Sequence, residues 1–442
     1  MNGEGRDHAQ RAGRSPNERT DERTTGTLRI HRSLRAIRRI VIIIAALFST
    51  DSPLPRHSPS VARTELSGRL LSLDVARGIT IAFMIMVNNN GGSGSWGFMN
   101  HAEWNGLTAT DLVFPTFVFV MGISVVLAIE ARLARGVSRG ALIRHAAQRA
   151  VILCLLGILV NTFPRFELDH IRFYGVLQRI AVCYFAVSLL YLAKPRARAL
   201  AAALLIALVG YWLLVRWVPI PGAGLPGRDV PFMDVRQNLV SWLDRQLFPY
   251  HLYRAAPEHN LRDPEGLLSD IPAIGTALMG MLTGLWLRTR RSIPAKTRGL
   301  AAAAIASLAF GYLWAVWFPL NKNLWTSSYV LVAGGYSLAL VALTFWAVEQ
   351  RGWRTGWTWV WLVFGSNAIA AYMFSELLPG ALQAVHVTSG GHATDLITFL
   401  LDHLFRRIPD PGWATFAYAV SFTAVCFVPV WILYRRRIFL KV

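Results

Sequence analysis

Charge is scarce in this chain. Asp, Glu, Lys and Arg make up 16% of its 442 residues, against about 25% in ordinary soluble domains. Acids are the scarcer sign: 25 Asp and Glu stand against 45 Lys and Arg, for a net charge of +20. Cysteine is nearly absent. Cys154, Cys183 and Cys426 lie inside apolar runs, and none has the spacing of a metal or redox centre. They read as small buried apolar side chains. No repeat of fixed period is visible, and neither is the inverted repeat of many transporters.

Apolar residues fill the space that charge leaves. The chain is 54% hydrophobic, its mean hydropathy is +0.39, and its charges cluster between long apolar stretches. That is the pattern of a chain crossing a bilayer many times, and it excludes a soluble globular enzyme. The expected fold class is all-α, a polytopic integral membrane protein with about ten transmembrane helices. The net charge does not point to nucleic acid. The Arg residues lie in short loops between apolar runs, where positive charge marks the cytoplasmic side.

The spans read as Leu70–Val87, Leu112–Ile129, Ala150–Phe163 extended back to Leu142, Tyr174–Leu192, Ala199–Val218, Ile271–Leu287, Leu300–Phe318, Ser327–Val348, Trp357–Leu378 and Ala414–Tyr434. Asp395–Phe405 is amphipathic and suits an interfacial or re-entrant helix. Residues 1–65 form a basic segment too polar to build a core and are expected to be disordered, ahead of a multi-span domain over 66–442. The apolar run 40–48 is too short to span. It reads as part of a signal sequence, or as a sign that the true start lies later.

Lys and Arg crowd alternate loops: Arg132 to Arg149, Lys194 to Arg198, Arg288 to Arg298, Arg351 and Arg354, and Arg435 to Arg437. Both termini are therefore expected in the cytoplasm of an inner-membrane protein. Loops 88–111, 219–270 and 319–326 are then outside.

Ionisable groups at membrane depth are costly and often functional. Asp74 and Arg77, three apart in the first span, share a helix face and read as a structural ion pair. The densest polar cluster runs from Asn88 to Asp111. Its glycines let backbone approach a ligand closely. Asn88, Asn89 and Asn90 offer amide donors and acceptors. His101 brings the side chain that exchanges protons near neutral pH, and Asp111 is an acidic partner ten residues on. Acyl transfer needs such a set: a base for the nucleophile and donors for the developing oxyanion. The bland alternative is a Gly/Asn-rich turn. His101 and Glu103 have metal-ligand character, but no third ligand stands at a recognisable spacing, so no metal is expected. On the same side, Asn321-Lys322-Asn-Leu-Trp325 carries a lone cation, either an interfacial anchor or a partner for phosphate or carboxylate. Asp263-Pro-Glu-Gly266 suits a helix start. Gln178, Arg179, Ser366, Asn367 and Glu376 are polar groups within or near spans.

Taken together, these motifs resemble the heparan-alpha-glucosaminide N-acetyltransferase family, as a bacterial membrane homologue. The residues that carry the resemblance are Arg69-Leu-Leu-Ser-Leu-Asp-Val-Ala-Arg-Gly78, Val87-Asn88, His101-Ala-Glu-Trp-Asn-Gly-Leu-Thr-Ala-Thr-Asp-Leu-Val-Phe-Pro115 and Val120-Met-Gly122. Gly175-Val-Leu-Gln-Arg179, Asp263-Pro-Glu-Gly266 and Asn321-Lys-Asn-Leu-Trp325 follow in the same order. The family's short luminal N-terminal domain has no counterpart in this reading.

The resemblance implies transfer of acetyl from acetyl-CoA, as co-substrate, to the amine of a glucosamine-type sugar away from the cytosol. It matches the active-site histidine to His101 and a neighbouring asparagine best to Asn88, with Asn89 and Asn90 as competitors. Asp111 would fix the imidazole tautomer. Trp104, Asn105, Gln178, Arg179, Asn321, Lys322, Trp325 and Asn367 are candidates for holding sugar or CoA. The partners implied are the lipid bilayer, acetyl-CoA and an amino-sugar acceptor, with a homodimer left open. Two rivals remain: an O-acyltransferase of envelope glycans, and a transporter or flippase with no covalent chemistry.

The Arg distribution makes a direct prediction. A periplasmic reporter fused at residue 240 is active, and one fused at Arg139 or Arg291 is silent. An active periplasmic reporter at Arg291 overturns the orientation.

Overall fold

A computed structural model describes residues 70–92, 94–193, 196–253, 261–389 and 392–440. The expected disordered segment 1–65 and its apolar run lie outside the described residues. The long helices are α1 (Leu71–Asn88), α2 (Val113–Leu133), α3 (Arg139–Thr162), α4 (Val176–Leu192) and α5 (Ala197–Trp217). A short α6 (Leu239–Leu247) follows in the long loop. Next come α7 (Asp270–Leu287), α8 (Ile293–Ala315), α9 (Ser327–Phe345), α10 (Thr358–Ser366) and α11 (Ala368–Gln383). Residues 381–399 make a separate compact unit. In it β1 (His386–Ser389) pairs antiparallel with β2 (His392–Asp395), with Val387 opposite Thr394. The last helix, α12, is Pro411–Arg435.

Among the described residues eight helices are long and apolar enough to cross a bilayer, or nine if α10 and α11, bent by 80°, are one span. The remaining expected span is α4. It is helical over 17 residues, about 25 Å at 1.5 Å per residue, against an apolar core of about 30 Å. Leu396–Phe405 is a shorter apolar helix of the kind its amphipathic pattern suggested.

Burial divides the long helices into an inner and an outer set. The spans containing α1, α2, α7 and α9 are 67–72% buried, whereas those of α3, α5, α8 and α12 are 17–28% buried. Outer helices turn large apolar side chains outward, such as Ile206, Ile305 and Phe310, at 71%, 69% and 66% exposure. On a water-soluble protein such a belt would be a sticky patch. Here its natural partner is lipid, and the chain is a multi-pass membrane protein.

Small residues set how closely the inner helices cross. A Cβ on Gly280 of α7 would stand 2.0 Å from the Phe119 carbonyl oxygen of α2, and one on Gly122 would stand 2.2 Å from that of Ala277. Gly78 of α1 and Gly365 of α10 face carbonyls of the opposite helix in the same way, at 1.8 and 2.0 Å. In lipid, helix association depends on such close backbone packing. At the α1–α10 crossing Arg77 Nη1 lies 3.1 Å from Asp74 Oδ1. The same guanidinium donates to Gly365 O at 3.3 Å and to Ser124 Oγ of α2 at 2.8 Å. The pair thus ties three helices together.

Outside the spans, residues 219–253 and 261–269 fold over the C-terminal ends of α5 and α8. Met233, Val240, Phe318 and Leu324 pack against Tyr211 and Val215. Asn238 caps α6, its Oδ1 accepting from Ser241 N at 2.8 Å. Asp244 of α6 is fully buried, and Leu267 N donates to its Oδ1 at 3.1 Å. Burial, reinforced by the charge of Asp263, pushes the Asp244 carboxyl up to about 7, against the pull of Leu267 N–H, Tyr174 and Arg179.

Two predictions follow from this packing. Gly280→Ala forces α2 and α7 apart, a strain of about 1–3 kcal/mol, and lowers the thermal midpoint in detergent. Gly210→Ala, whose Cβ meets nothing within 4 Å, leaves it unchanged. Equal midpoints would contradict the crossing. The second concerns pH. With its pKa raised from 3.8 to about 7, folded Asp244 holds a proton that the unfolded chain releases. Its contribution to stability therefore falls between about pH 4 and 7 and levels off above. Asp244→Asn loses that slope, read as thermal midpoint against pH. An unchanged slope in the variant would show that Asp244 does not titrate in that window.

Candidate functional site

The loop between α1 and α2 is shaped by its own short polar side chains. Asn90 Nδ2 donates to Met99 O at 3.1 Å and to Asn100 Oδ1 at 3.0 Å. Ser95 Oγ donates to Asn100 Oδ1 at 2.6 Å. Thr108 Oγ1 reaches Asn100 O at 2.7 Å, and Thr110 Oγ1 reaches Phe98 O at 2.9 Å. These bonds replace the ladder that a loop lacks and fold it back over its own root.

At that root is Asp111. Its side chain is 1% exposed, and its Oδ1 lies 2.7 Å from Nδ1 of His101, itself 48% exposed. Its Oδ2 accepts from Ala102 N at 3.1 Å, Thr108 N at 3.0 Å and Thr108 Oγ1 at 3.0 Å. Tyr329 OH donates to the Asp111 carbonyl at 2.5 Å. An ionised carboxylate only accepts. In the neutral ring the proton then sits on Nδ1 and Nε2 keeps its lone pair.

Lys322 meets that ring, its Nζ lying 3.1 Å from Nε2 and 3.2 Å from Nδ1. Near-equal distances to the two nitrogens of one ring place Nζ over the ring face, off the in-plane lone pair of Nε2. Lys322 arrives there through a clamp between two loops. Gly106 N donates to Leu320 O at 2.8 Å, and Asn321 Nδ2 donates to Asn105 Oδ1 at 3.1 Å. Asn321 Oδ1 accepts from Leu324 N at 2.8 Å. Burial draws the Lys322 ammonium below its ordinary pKa, against the opposing charges of Glu265 and Asp111. It gives up a proton more readily than an exposed lysine.

His101 and Lys322 open onto a cavity of about 610 Å³, within the usual range for small-molecule sites. Asn88, Arg172, Arg262, Glu265 and Glu376 also line it. Arg172 grips Asp263 through Nε and Nη2 at 2.8 and 2.6 Å, and Glu265 through Nη2 at 2.5 Å. Burial opposes the Glu265 charge, but Arg172, Arg179 and Lys322 together hold its carboxyl below the usual range. Arg262 lies 4.9 Å over the Trp104 ring and donates to Asn323 Oδ1 at 2.9 Å.

The three asparagines separate. Asn88 lines the cavity, its Nδ2 3.4 Å from Glu376 Oε1. Asn89 Nδ2 bonds back to Ile85 O of its own helix at 3.1 Å. Asn90 also lines the cavity while stapling the loop. Other sequence candidates stand behind the wall. Arg179 is 1% exposed. It pairs with Asp270 at 2.8 Å and donates to Ser269 Oγ, Pro264 O and Gly266 O, so it anchors the segment that presents Glu265. Trp325 is fully buried, with Arg179 4.8 Å over its ring and its Nε1 on Thr276 Oγ1 at 3.1 Å. Gln178 is packed against Gly157 and Gly175. Trp104 Nε1 donates to Met233 O at 2.8 Å. Asn367, at the α10–α11 bend, holds Ile438 O at 3.0 Å and Leu440 N at 2.9 Å.

Arg172 and Arg262 are not singled out by the sequence reading; Glu265 enters it only within a helix start, and Glu376 only as a polar group near membrane depth. Glu376 gave a signal, an acid inside an apolar run. Arg172 gave none, because its loop balances it with acids. Among the described residues no group of three His, Cys, Asp or Glu side chains gathers as a metal site.

Comparison with known proteins agrees with these motifs. Residues 69–228 match the sequence profile of the heparan-alpha-glucosaminide N-acetyltransferase catalytic region. The human heparan-alpha-glucosaminide N-acetyltransferase is 30% identical over 429 aligned residues, covering 85% of this chain and 60% of the human protein. The mouse protein of that name is 29% identical over 379 residues, covering 75% of this chain and 57% of its own length. The chain thus spans less than two thirds of the length of these relatives. Over most of its own length, the chain is similar to these heparan-alpha-glucosaminide N-acetyltransferases.

Proposed function

We propose that the chain is a membrane acetyltransferase that moves acetyl from acetyl-CoA to the amine of a glucosamine-type sugar. One observation carries the reading. Asp111 holds His101 by a hydrogen bond while Lys322 lies against the same ring on a cavity wall, in a chain whose relatives are named for that transfer. We further place this cavity on the extracytoplasmic face of an inner membrane, from the Arg distribution alone.

In this reading His101 is the base. The acceptor ammonium first gives up one proton to water; the free amine nitrogen then bonds to the acetyl carbonyl carbon, and the carbon–sulfur bond breaks. The amine proton passes to Nε2, and the departing thiolate takes a proton in turn, leaving an amide and free CoA thiol. Passage of the acetyl group through Nε2 itself uses the same atoms. Asp111 orients the ring and stabilises the imidazolium that forms. Lys322, beside the ring, stabilises the thioester oxygen as it gains charge, together with the Asn88 amide. Arg262 supplies positive charge along the cavity for CoA phosphates.

The test is transfer of labelled acetyl by detergent-purified protein to glucosamine and to hydroxyl-only sugars. Transfer to the amine supports the reading. Transfer only to hydroxyls favours an O-acyltransferase, and none at all favours transport. His101→Ala lowers the rate by about 10²–10⁴, and more if the ring carries acetyl. Asn88→Ala costs about 10²–10³. Asp74→Ala strands Arg77 at membrane depth and lowers folded yield before it alters chemistry. A His101→Ala variant with parental turnover places the reaction elsewhere.

A further inference from the structure

The acetyl acceptor of this reading reaches the cavity as an ammonium ion, and the catalytic wall is a poor place for one. Lys322 already sets a positive charge 3.1 Å from His101 Nε2, and two cations at close range in a partly desolvated site repel strongly. A cavity that admits an amine therefore needs a carboxylate whose charge is not already taken up. Most acids there are occupied. Asp111 receives His101, Ala102 and Thr108, and Glu265 receives Arg172. Glu103 is exposed.

Glu376 is different. It lines the same cavity, on α11 beyond the 80° bend, in a helix otherwise built of apolar and small residues. Asn88 Nδ2 approaches its Oε1 at 3.4 Å, beyond the 2.7–3.2 Å of a good N–H···O bond. A carboxylate at membrane depth is costly unless it has a partner. With Nδ2 turned to Glu376, the Asn88 amide also keeps its oxygen as an acceptor. Two carboxylate oxygens and one amide oxygen match the three donors of a primary ammonium.

We propose that Glu376, with Asn88 beside it, is the docking point for the acceptor's ammonium group and sets the preference for amino over hydroxy sugars. This rests on the acetyltransferase reading for what becomes of the amine, and on the cavity alone for its binding. Glu376 is thus a specificity residue, distinct from the proton-transfer role given to His101.

The experiment is calorimetric titration of the purified full chain with glucosamine and with glucose, which differ at the amine. The parent protein binds glucosamine at least tenfold more tightly. Glu376→Gln, nearly isosteric and uncharged, removes that preference and leaves glucose affinity unchanged. Glu376→Asp retains most of it. In turnover, Glu376→Gln raises KM for glucosamine by tenfold or more and changes kcat by less than threefold. Equal binding of both sugars by the parent overturns the proposal, whether or not any variant folds. So does a Glu376→Gln variant that keeps the parental preference. If the preference is present and depends on Glu376 but no acetyl is transferred, the ammonium site stands and the acetyltransferase reading falls.

Discussion

The site hangs on one buried carboxylate. Asp111 is the point at which the polar loop after α1 meets the start of the next span. Through its two oxygens it fixes the ring of His101, the backbone of Ala102 beside it and Thr108 further along the loop. Its backbone carbonyl is bonded to Tyr329 of α9, so the loop root is tied to an inner helix as well. Four donors on one carboxylate explain how an exposed loop can hold an imidazole in one orientation. Such a constellation has to be rigid before substrate arrives, because ordering it afterwards would consume binding energy.

Rigidity at Asp111 depends in turn on the inner helices. Gly122 and Gly280 let α2 and α7 cross at backbone contact, and Gly78 and Gly365 do the same for α1 and α10. The Asp74–Arg77 pair locks the second crossing from within. Lipid offers no hydrophobic drive to hold helices together, so close packing and buried polar bonds take that role. The break at Asn367 belongs to the same frame. Its amide satisfies backbone groups near residue 440 and frees α11 to change direction, which carries Glu376 to the cavity wall.

Much of this was legible in the sequence, for physical reasons. A span needs about 20 apolar residues, a length constraint that shows through any detail, so the helices were foreseeable. The exceptions were the 80° break at Asn367 inside the expected span Trp357–Leu378 and the shortness of α4, since Tyr174 and Gly175 are apolar yet lie before its first turn. His101 and Asp111 were legible because they share one loop. Lys322 stood out as a cation in a neutral loop, but the sequence could not say that its neighbour is a histidine 221 residues away. Arg179, Trp325 and Asn367 show where sequence runs out. Composition marks a polar or aromatic group at membrane depth, but whether it faces a cavity or a neighbouring helix depends on rotation about the helix axis. That rotation is set by contacts distant in sequence, such as Arg179 with Asp270 and Asn367 with Ile438.

The central claim is that Asp111 holds His101 with its proton on Nδ1 and its lone pair on Nε2. Nitrogen-15 NMR of histidine-labelled protein in nanodiscs reads this tautomer directly, with the His101 signals assigned by their loss in His101→Gln. The account predicts a protonated Nδ1 and an unprotonated Nε2 near pH 8, giving way to mixed tautomers in Asp111→Asn. A proton resident on Nε2 in the parent protein, unchanged by Asp111→Asn, would contradict it.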